Sequence, residues 1–165
     1  MARGSAVVFL SADVFKKGDQ SAGWVPLANK GALSVLPSWI YHKDEWSKRH
    51  PVFEGLPCGG LMDYTFFREI ISDFAWVGQD PPAEVVAAAT NTSQDYSAGL
   101  TVAVYHFGAG RFILNTLLIR ENLSSNPVAE RLLRNMLNCA ARDQQKPLAD
   151  VPLDFDTQLK TLGYK

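Results

Sequence analysis

The sequence predicts one layered α/β domain, and three observations lead to that prediction. The chain has 165 residues, of which 47% are hydrophobic and 20% charged, a composition typical of a single folded domain. Two runs at residues 100–107 and 111–118 carry apolar side chains on both faces, so we expect the sheet to be covered on both sides. An amphipathic helix follows from residue 127 and provides one of the covering layers.

The first predicted element is a buried strand at residues 6–10 (AVVFL). This run is too short to span a bilayer and lacks the flanks of a signal peptide, so the sequence predicts a soluble chain whose compartment is unknown. A core strand this close to the first residue suggests a fragment whose upstream elements are missing, although a compact chain can also begin in this way.

Short elements separated by glycine and proline fill the middle of the chain. Residues 11–23 are polar and contain two glycines, which predicts a surface loop. We expect one or two helical turns within residues 39–49, ending before Pro51, because the residue that precedes a proline disfavours helix. The further expected elements are a tight loop at residues 55–60, a short helix at 64–71, and strands at 75–77 and 84–89.

The last third of the chain gives the clearest pattern. The apolar runs 100–107 and 111–118 are joined by residues 108–110 (GAG), which predicts a β-hairpin. Asn126 then caps a helix that has Pro127 at its first position. The buried stripe of this helix is predicted to contain Val128, Leu132, Leu133, Met136, Cys139 and Ala140.

The chain is expected to divide into a domain and a tail. The residues after Lys146 are mixed in character and contain prolines, with a short helix expected near residues 156–162. We therefore expect an α/β domain at residues 1–146 and a C-terminal tail at residues 147–165.

Charge and cysteine content exclude several classes of function. The chain has 16 Lys and Arg against 17 Asp and Glu, which gives no electrostatic signal for a nucleic-acid or membrane partner. Cys58 and Cys139 are too few for a disulfide framework or a cysteine-rich zinc site. His42, His50 and His106 do not have the spacing of metal ligands. The sequence therefore predicts neither a metal nor a cofactor.

Few residues form a pattern typical of catalysis. Ser21 and Cys58 do not follow a strand with the flanking glycines that a nucleophile elbow requires. Four carboxylates are candidates for acid–base chemistry by residue type alone: Glu54, Asp63, Glu69 and Glu84. One hypothesis is a small carbohydrate-active hydrolase that uses His50 with Glu54 or Asp63 as its acid–base groups.

Aromatic residues provide another functional signal. Several are concentrated in the first part of the chain, where they can stack on sugar rings or pack in a core or an interface: Trp24, Trp39, Tyr41, Trp46 and Tyr64. Another hypothesis is a sugar-binding module whose ligand-binding residues are Trp24, Trp39 and Tyr64. Residues 108–111 (GAGR) lack the further glycine and the following helix of a nucleotide loop, and a hairpin turn explains them.

Four segments match motifs that occur together in one group of domains. Residues 50–57 (HPVFEGLP) match an HP-hydrophobic-x-x-GLP loop, residues 108–115 a G-x-G-R hairpin with its last strand, and residues 131–137 an LL-x-N closing helix. These motifs resemble class I glutamine amidotransferase-like domains, including the ThuA-like and β-galactosidase-trimerisation-like groups. Residues 59–84 look like the C-terminal region of bacterial family 2-type glycoside hydrolases or β-glycosidase-related proteins. The resemblance covers roughly residues 5–143.

The resemblance implies a flavodoxin-like three-layer sandwich with a mostly parallel sheet and helices on both faces, lacking its first βα units. It leads to the hypothesis that we favour, a non-catalytic accessory domain of a glycoside hydrolase-type protein. Such a domain supports interdomain packing, oligomerisation or the rim of a carbohydrate site. Its expected partners are other domains of the parent protein or a second copy, contacted through surface near Trp24, Trp39 and Trp46.

Two features depart from the amidotransferase pattern. The catalytic cysteine elbow has no match in the chain, and the histidine expected after the last strands is replaced in the region of Asn115 and Thr116. Transfer of ammonia derived from glutamine is therefore not expected.

Overall fold

The computed structural model describes residues 1–36, 44–67, 69–92, 96–142 and 148–164, and these residues form one sheet with helices packed mainly on one face. The strands are β1 (Ala6–Val8), β2 (Lys30–Val35), β3 (Asp44–Ser47), β4 (Gly60–Leu61), β5 (Phe74–Gln79), β6 (Glu84–Asn91), β7 (Ser97–Phe107) and β8 (Gly110–Asn115). The helices are α1 (Ile119–Asn122), α2 (Pro127–Ala141) and α3 (Phe155–Thr161), with 3₁₀ turns at Ala12–Phe15 and Pro51–Phe53. None of the helices in these ranges has the length and apolar character that a bilayer span requires.

The α/β class is confirmed, but the strand pairing corrects the expectation of a mostly parallel sheet. The strands are ordered β1-β8-β7-β6-β3-β4, and β5 joins the sheet between β7 and β2. Of the pairings described, β1 with β8 is parallel and the others are antiparallel. Residues 92–96 and 108–109 are the whole connections from β6 to β7 and from β7 to β8. Connections this short exclude the crossover that parallel neighbours need.

The predicted hairpin is confirmed and organises the centre of the sheet. β7 pairs with β8 from Val102–Asn115 to Phe107–Gly110. The other edge of β7 pairs with β6. Strand β5 therefore pairs with β7 on the same edge as β8, where Trp76 pairs with Leu100. A Cβ atom at Gly99 would lie 2.5 Å from the Cβ of Ala75, so only glycine lets β5 approach β7 this closely.

Both faces of the sheet are buried, as the apolar pattern predicts. Val102 and Val104 of β7 face the helical side, whereas Ala103 and Tyr105 face the opposite side. The helical side holds a cluster that includes Val52, Phe53, Phe66, Ile70, Ile113, Leu132 and Met136. The second side is covered by the segment between β1 and β2, with Phe15, Val25, Leu27, Trp76, Phe112 and Leu114 in its cluster. A 3₁₀ turn and loops thus form the layer where the resemblance implies helices.

The amphipathic helix α2 is confirmed with its cap. The Asn126 side chain accepts a hydrogen bond from the Val128 N–H at 2.9 Å, and Pro127 opens the helix. Asn135, which is buried, donates from Nδ2 to the Val52 and Glu54 carbonyl oxygens at 3.0 and 2.9 Å. The helix is therefore tied to the 3₁₀ turn at Pro51–Phe53 by polar bonds as well as by apolar packing.

Two expected helical segments differ from the described structure, and residues 39–43 of the first lie outside the described residues. Residues 44–47 form strand β3, whose Trp46 pairs with Ala88 of β6, so sheet pairing overrides the local helical tendency. Phe66 and Phe67 donate N–H bonds to the Asp63 carbonyl, but the described residues between 64 and 71 form successive turns and no regular helix.

The C-terminal tail packs against the sheet through the predicted short helix, which is confirmed as α3. Phe155 makes an edge contact with Phe107, with ring centroids 6.3 Å apart. The Lys30 ammonium group donates to the Gly23 carbonyl at 2.6 Å and to the Leu162 carbonyl at 2.7 Å. One side chain of β2 thereby joins the loop that follows β1 to the end of α3.

We predict that Leu132→Ala destabilises the protein by about 3 kcal/mol, because it leaves a cavity in the fully buried face of α2. Leu137→Ala is the matched control, since Leu137 lies on the same helix but is 53% exposed, and it should change the free energy of unfolding by less than about 1 kcal/mol. Urea unfolding followed by circular dichroism measures both. Equal losses in the two variants would contradict the assigned burial of α2.

Candidate functional site

Several cavities in the described part of the chain are lined by polar side chains, and two of them lie at the ends of β8. The first, which we call the crevice, has a volume of about 310 Å³ and lies at the carboxyl ends of the parallel strands β1 and β8. The second, which we call the charged pocket, has a volume of about 350 Å³ and lies near the start of β8 and the end of α2. Crevices at the carboxyl ends of parallel strands are common binding sites in α/β proteins. Cavities with a few convergent polar groups are the usual form of small-molecule sites.

The polar side chains of the crevice serve the backbone around them. Ser11 Oγ accepts from the Asp13 N–H at 3.2 Å, and Ser21 Oγ accepts from the Leu33 N–H at 3.0 Å. Ser72 Oγ accepts from the Phe74 N–H at 3.0 Å. These hydroxyl groups stabilise a 3₁₀ turn and two strands, and the residues described around the crevice include no histidine or cysteine to form a nucleophile–base pair.

Asn115 lines the crevice, in the region where the resemblance implies a histidine. Its Oδ1 accepts from the Leu117 N–H and its Nδ2 donates to the Leu117 carbonyl, both at 3.1 Å. The side chain is buried and holds the turn that leads from β8 into α1. Asn115 is therefore a structural residue in this fold.

The charged pocket has apolar walls and an ionic rim. Its apolar lining includes Val104, Ile113 and Cys139, and its polar lining consists of Arg49, His50, Glu84, Arg111 and Arg142. These polar residues come from the loop before the Pro51–Phe53 turn, the start of β6, the start of β8 and the end of α2. The pocket exists only because the sheet brings four distant parts of the chain together.

His50 uses both of its ring nitrogens. Nδ1 accepts a hydrogen bond from the Val52 N–H at 3.1 Å, so the ring proton resides on Nε2, which lies 3.3 Å from Glu84 Oε1. Burial lowers the pKa of His50, the charge and hydrogen bond of Glu84 partly oppose that effect, and Arg142 and Arg111 lower the pKa further. The neutral ring is thus held as a cap for the 3₁₀ turn and has no free lone pair with which to act as a general base.

The two carboxylates that the hydrolase hypothesis pairs with His50 lie outside the charged pocket. Glu54 is exposed, and its backbone carbonyl, not its carboxylate, receives the Asn135 bond. Asp63 is exposed and accepts from the Thr65 N–H at 2.9 Å, which closes its own turn. The carboxylate that contacts His50 is Glu84, a residue the sequence offers only by its type.

The predicted sugar-binding aromatics lie in different surroundings. Trp24 stacks on Tyr164 with ring centroids 5.6 Å apart, and Lys17 Nζ lies 4.3 Å from the Trp24 ring centroid. Tyr64 is 73% exposed. Trp39 lies outside the described residues.

The two cysteines differ in their exposure to solvent. Cys58 is exposed in the tight loop before β4, and Cys139 is buried on α2 as the helical stripe predicts. Burial raises the pKa of the Cys139 thiol, so this side chain behaves as an apolar core residue. Among the described residues, no three His, Cys, Asp or Glu side chains gather closely enough to hold a metal ion.

Comparisons of the chain with known protein families, with curated proteins and with solved structures found no match.

Sequence reasoning missed the three arginines of the charged pocket. Arg49, Arg111 and Arg142 lie far apart in the chain, and neither Arg49 nor Arg142 belongs to a motif. The signal that the sequence does contain is the GAGR hairpin, because a residue directly after a tight turn is held in a fixed direction. That signal identifies Arg111 but not the residues it meets.

We predict that His50→Asn reduces the loss of stability in acid. The folded-state pKa of His50 lies below the unfolded value of 6.5, so the unfolded chain binds more protons as the pH falls below that value, and stability present above it is lost. Asparagine keeps a side-chain acceptor for the Val52 N–H but does not titrate. Thermal unfolding between neutral pH and pH 5 should therefore show a smaller decrease in Tm for the variant.

His106→Asn is the control for this experiment, since His106 is exposed on β7 and should leave the wild-type pH profile in place. Parallel pH profiles for wild type and His50→Asn would contradict the neutral, buried state of His50.

Proposed function

We propose that the chain is a non-catalytic accessory domain of a glycoside hydrolase-type protein, where it supports interdomain packing, oligomerisation or the rim of a carbohydrate site. The observation that carries this proposal is the use of the polar groups. In the crevice, Ser11, Ser21, Ser72 and Asn115 satisfy backbone groups, and in the charged pocket His50 does the same. A catalytic site of the Ser–His or Cys–His type instead needs a nucleophile within hydrogen-bond reach of a base, and the described crevice residues include no such pair.

An amidotransferase-like origin is part of the proposal, and the C-terminal half supports it. β1 pairs with β8 in parallel, the GAGR hairpin enters β8, and α2 packs on the same face as Ile113. This is the order of hairpin, last strand and closing helix that the resemblance implies. We propose that this unit is a reduced flavodoxin-like core to which antiparallel strands have been added.

An exposed apolar surface at one end of the sheet supports the packing role. We call it the edge patch, and it comprises Leu61, Tyr64 and Phe67, whose exposed fractions are 68%, 73% and 45%. Leu61 belongs to β4, the last strand in the order, so its outer edge faces no described strand. Exposed apolar side chains beside an open sheet edge are typical of a contact surface.

A sugar-binding module is the second candidate, because the exposed ring of Tyr64 can stack on a sugar. The hydrolase alternative is less well supported, since His50 contacts Glu84 and both of its nitrogens are engaged. Titration with oligosaccharides, followed by tryptophan fluorescence, separates the sugar-binding candidate from the accessory domain. Binding that is lost in Tyr64→Ala would favour the sugar-binding module.

We predict that the isolated chain self-associates through the edge patch and that the double variant Leu61→Ser/Tyr64→Ser weakens this association by about tenfold or more. Sedimentation velocity over a wide concentration range measures the association. Leu137→Ser is the matched control, since Leu137 is comparably exposed but lies on α2, and it should associate like wild type.

The same preparation should show no turnover of aryl-glycosides or aryl-esters above the buffer rate. Turnover that is abolished by His50→Ala, Glu54→Gln or Asp63→Asn in a chain that stays monomeric would contradict the accessory function. That result would establish the hydrolase alternative instead.

A further inference from the structure

The charged pocket contains more positive than negative side chains. Three guanidinium groups, those of Arg49, Arg111 and Arg142, line it, and Glu84 is the carboxylate among its described lining residues. The chain as a whole has a net charge of −1, so this concentration of arginine does not follow from the overall composition. Burial is the main cause of both pKa shifts, lowering the pKa of His50 and raising that of Cys139, and the charges of Arg142 and Arg111 act to lower both.

One of the arginines is held in place by a hydrogen bond. Arg111 donates from its guanidinium group to the Cys139 carbonyl near the end of α2. Arg49 is exposed and lies close to Gly59, where an added Cβ would be 2.6 Å from Arg49 Cγ and 3.0 Å from Nε. A preorganised side chain loses less freedom when it binds a ligand, so the position of Arg111 favours binding.

The preference of a helix C-terminus for positive charge explains only some of the three arginines in the charged pocket. Positive charge at a helix C-terminus is favourable, and the bond from Arg111 to Cys139 satisfies a carbonyl there. Arg49 comes from the loop before the Pro51–Phe53 turn and has no role in that cap, yet it lines the same cavity. A cavity of about 350 Å³ with convergent polar groups has the size of a small-ligand site.

We propose that the charged pocket binds a phosphate group, either as free inorganic phosphate or as the phosphate ester of a small sugar. Guanidinium groups form paired, charge-assisted hydrogen bonds with tetrahedral oxyanions, and arginines from separate elements surround the anion on several sides. Val104 and Ile113 also line the pocket, and a local environment less polar than water strengthens such bonds.

Glu84 sets the affinity of the site. Its carboxylate accepts from His50 Nε2 and lies at the same rim as the arginines, so it repels an incoming anion. Removing its charge should therefore tighten phosphate binding.

The experiment titrates the full chain with sodium phosphate, with sodium chloride at equal ionic strength as the reference, and follows Tm and amide NMR shifts. Phosphate should raise Tm in a saturable manner and shift the amide signals of Arg49, His50, Arg111 and Arg142. Arg142→Gln should weaken binding about tenfold, and Glu84→Gln should tighten it several-fold. Arg134→Gln is the matched control, because Arg134 is also exposed on α2 but does not line the pocket.

Glucose 6-phosphate and glucose distinguish the two sources of the phosphate group. Tighter binding of glucose 6-phosphate than of inorganic phosphate, without binding of glucose, assigns the site to a sugar phosphate, whereas equal affinities assign it to the free ion. Equal effects of phosphate and chloride, or equal losses in Arg142→Gln and Arg134→Gln, would overturn the proposal. Tm in chloride confirms that each variant is folded, and the self-association test of the accessory role is independent of this outcome.

Discussion

Strand β7 is the element on which the arrangement of the other strands depends. It forms backbone bonds with β6 along one edge and with β8 and then β5 along the other, while both of its faces are buried. Such a strand favours apolar side chains toward both layers and a small residue where a neighbour crosses. Gly99 meets the second requirement, and the run Val102–Val104 meets the first. The remaining strands take their register from these contacts.

The crevice and the charged pocket lie at opposite ends of β8, a neighbour of β7. β8 begins at the charged pocket with Arg111 and ends at the crevice with Asn115, so a single strand joins them. At its start the side chain is charged and reaches the end of α2, and at its end the side chain is neutral and holds the turn into α1. Residues with binding potential therefore collect at the start of β8, and residues with structural roles collect at its end.

Local patterns in the sequence predict the elements whose stabilising contacts are local. The hairpin of β7 and β8 and the capped helix α2 have their turn residues, cap and apolar stripe within short windows, and both were predicted with close boundaries. Strand β3 was missed because its conformation is set by pairing with β6, a partner that no local pattern identifies. The predominance of antiparallel pairs and the meeting of Arg49, Arg111 and Arg142 depend on the same long-range pairing, so neither is visible in composition or spacing. His50 was recognised as a candidate, but its neutral capping role depends on the geometry of Val52 and Glu84.

The contrast between the two cysteines makes the molecule a reporter of its own local opening. A thiol reagent added to the folded protein has direct access to Cys58, which stands close to β4, while Cys139 is shielded between α2 and the sheet. Cys139 is 7% exposed where it lines the charged pocket, so modification of its sulfur requires the pocket to widen or the helix to separate from β8. The rate of that slower reaction thus reads out how often this region opens, and a probe attached to the faster one samples the surface beside the sheet edge.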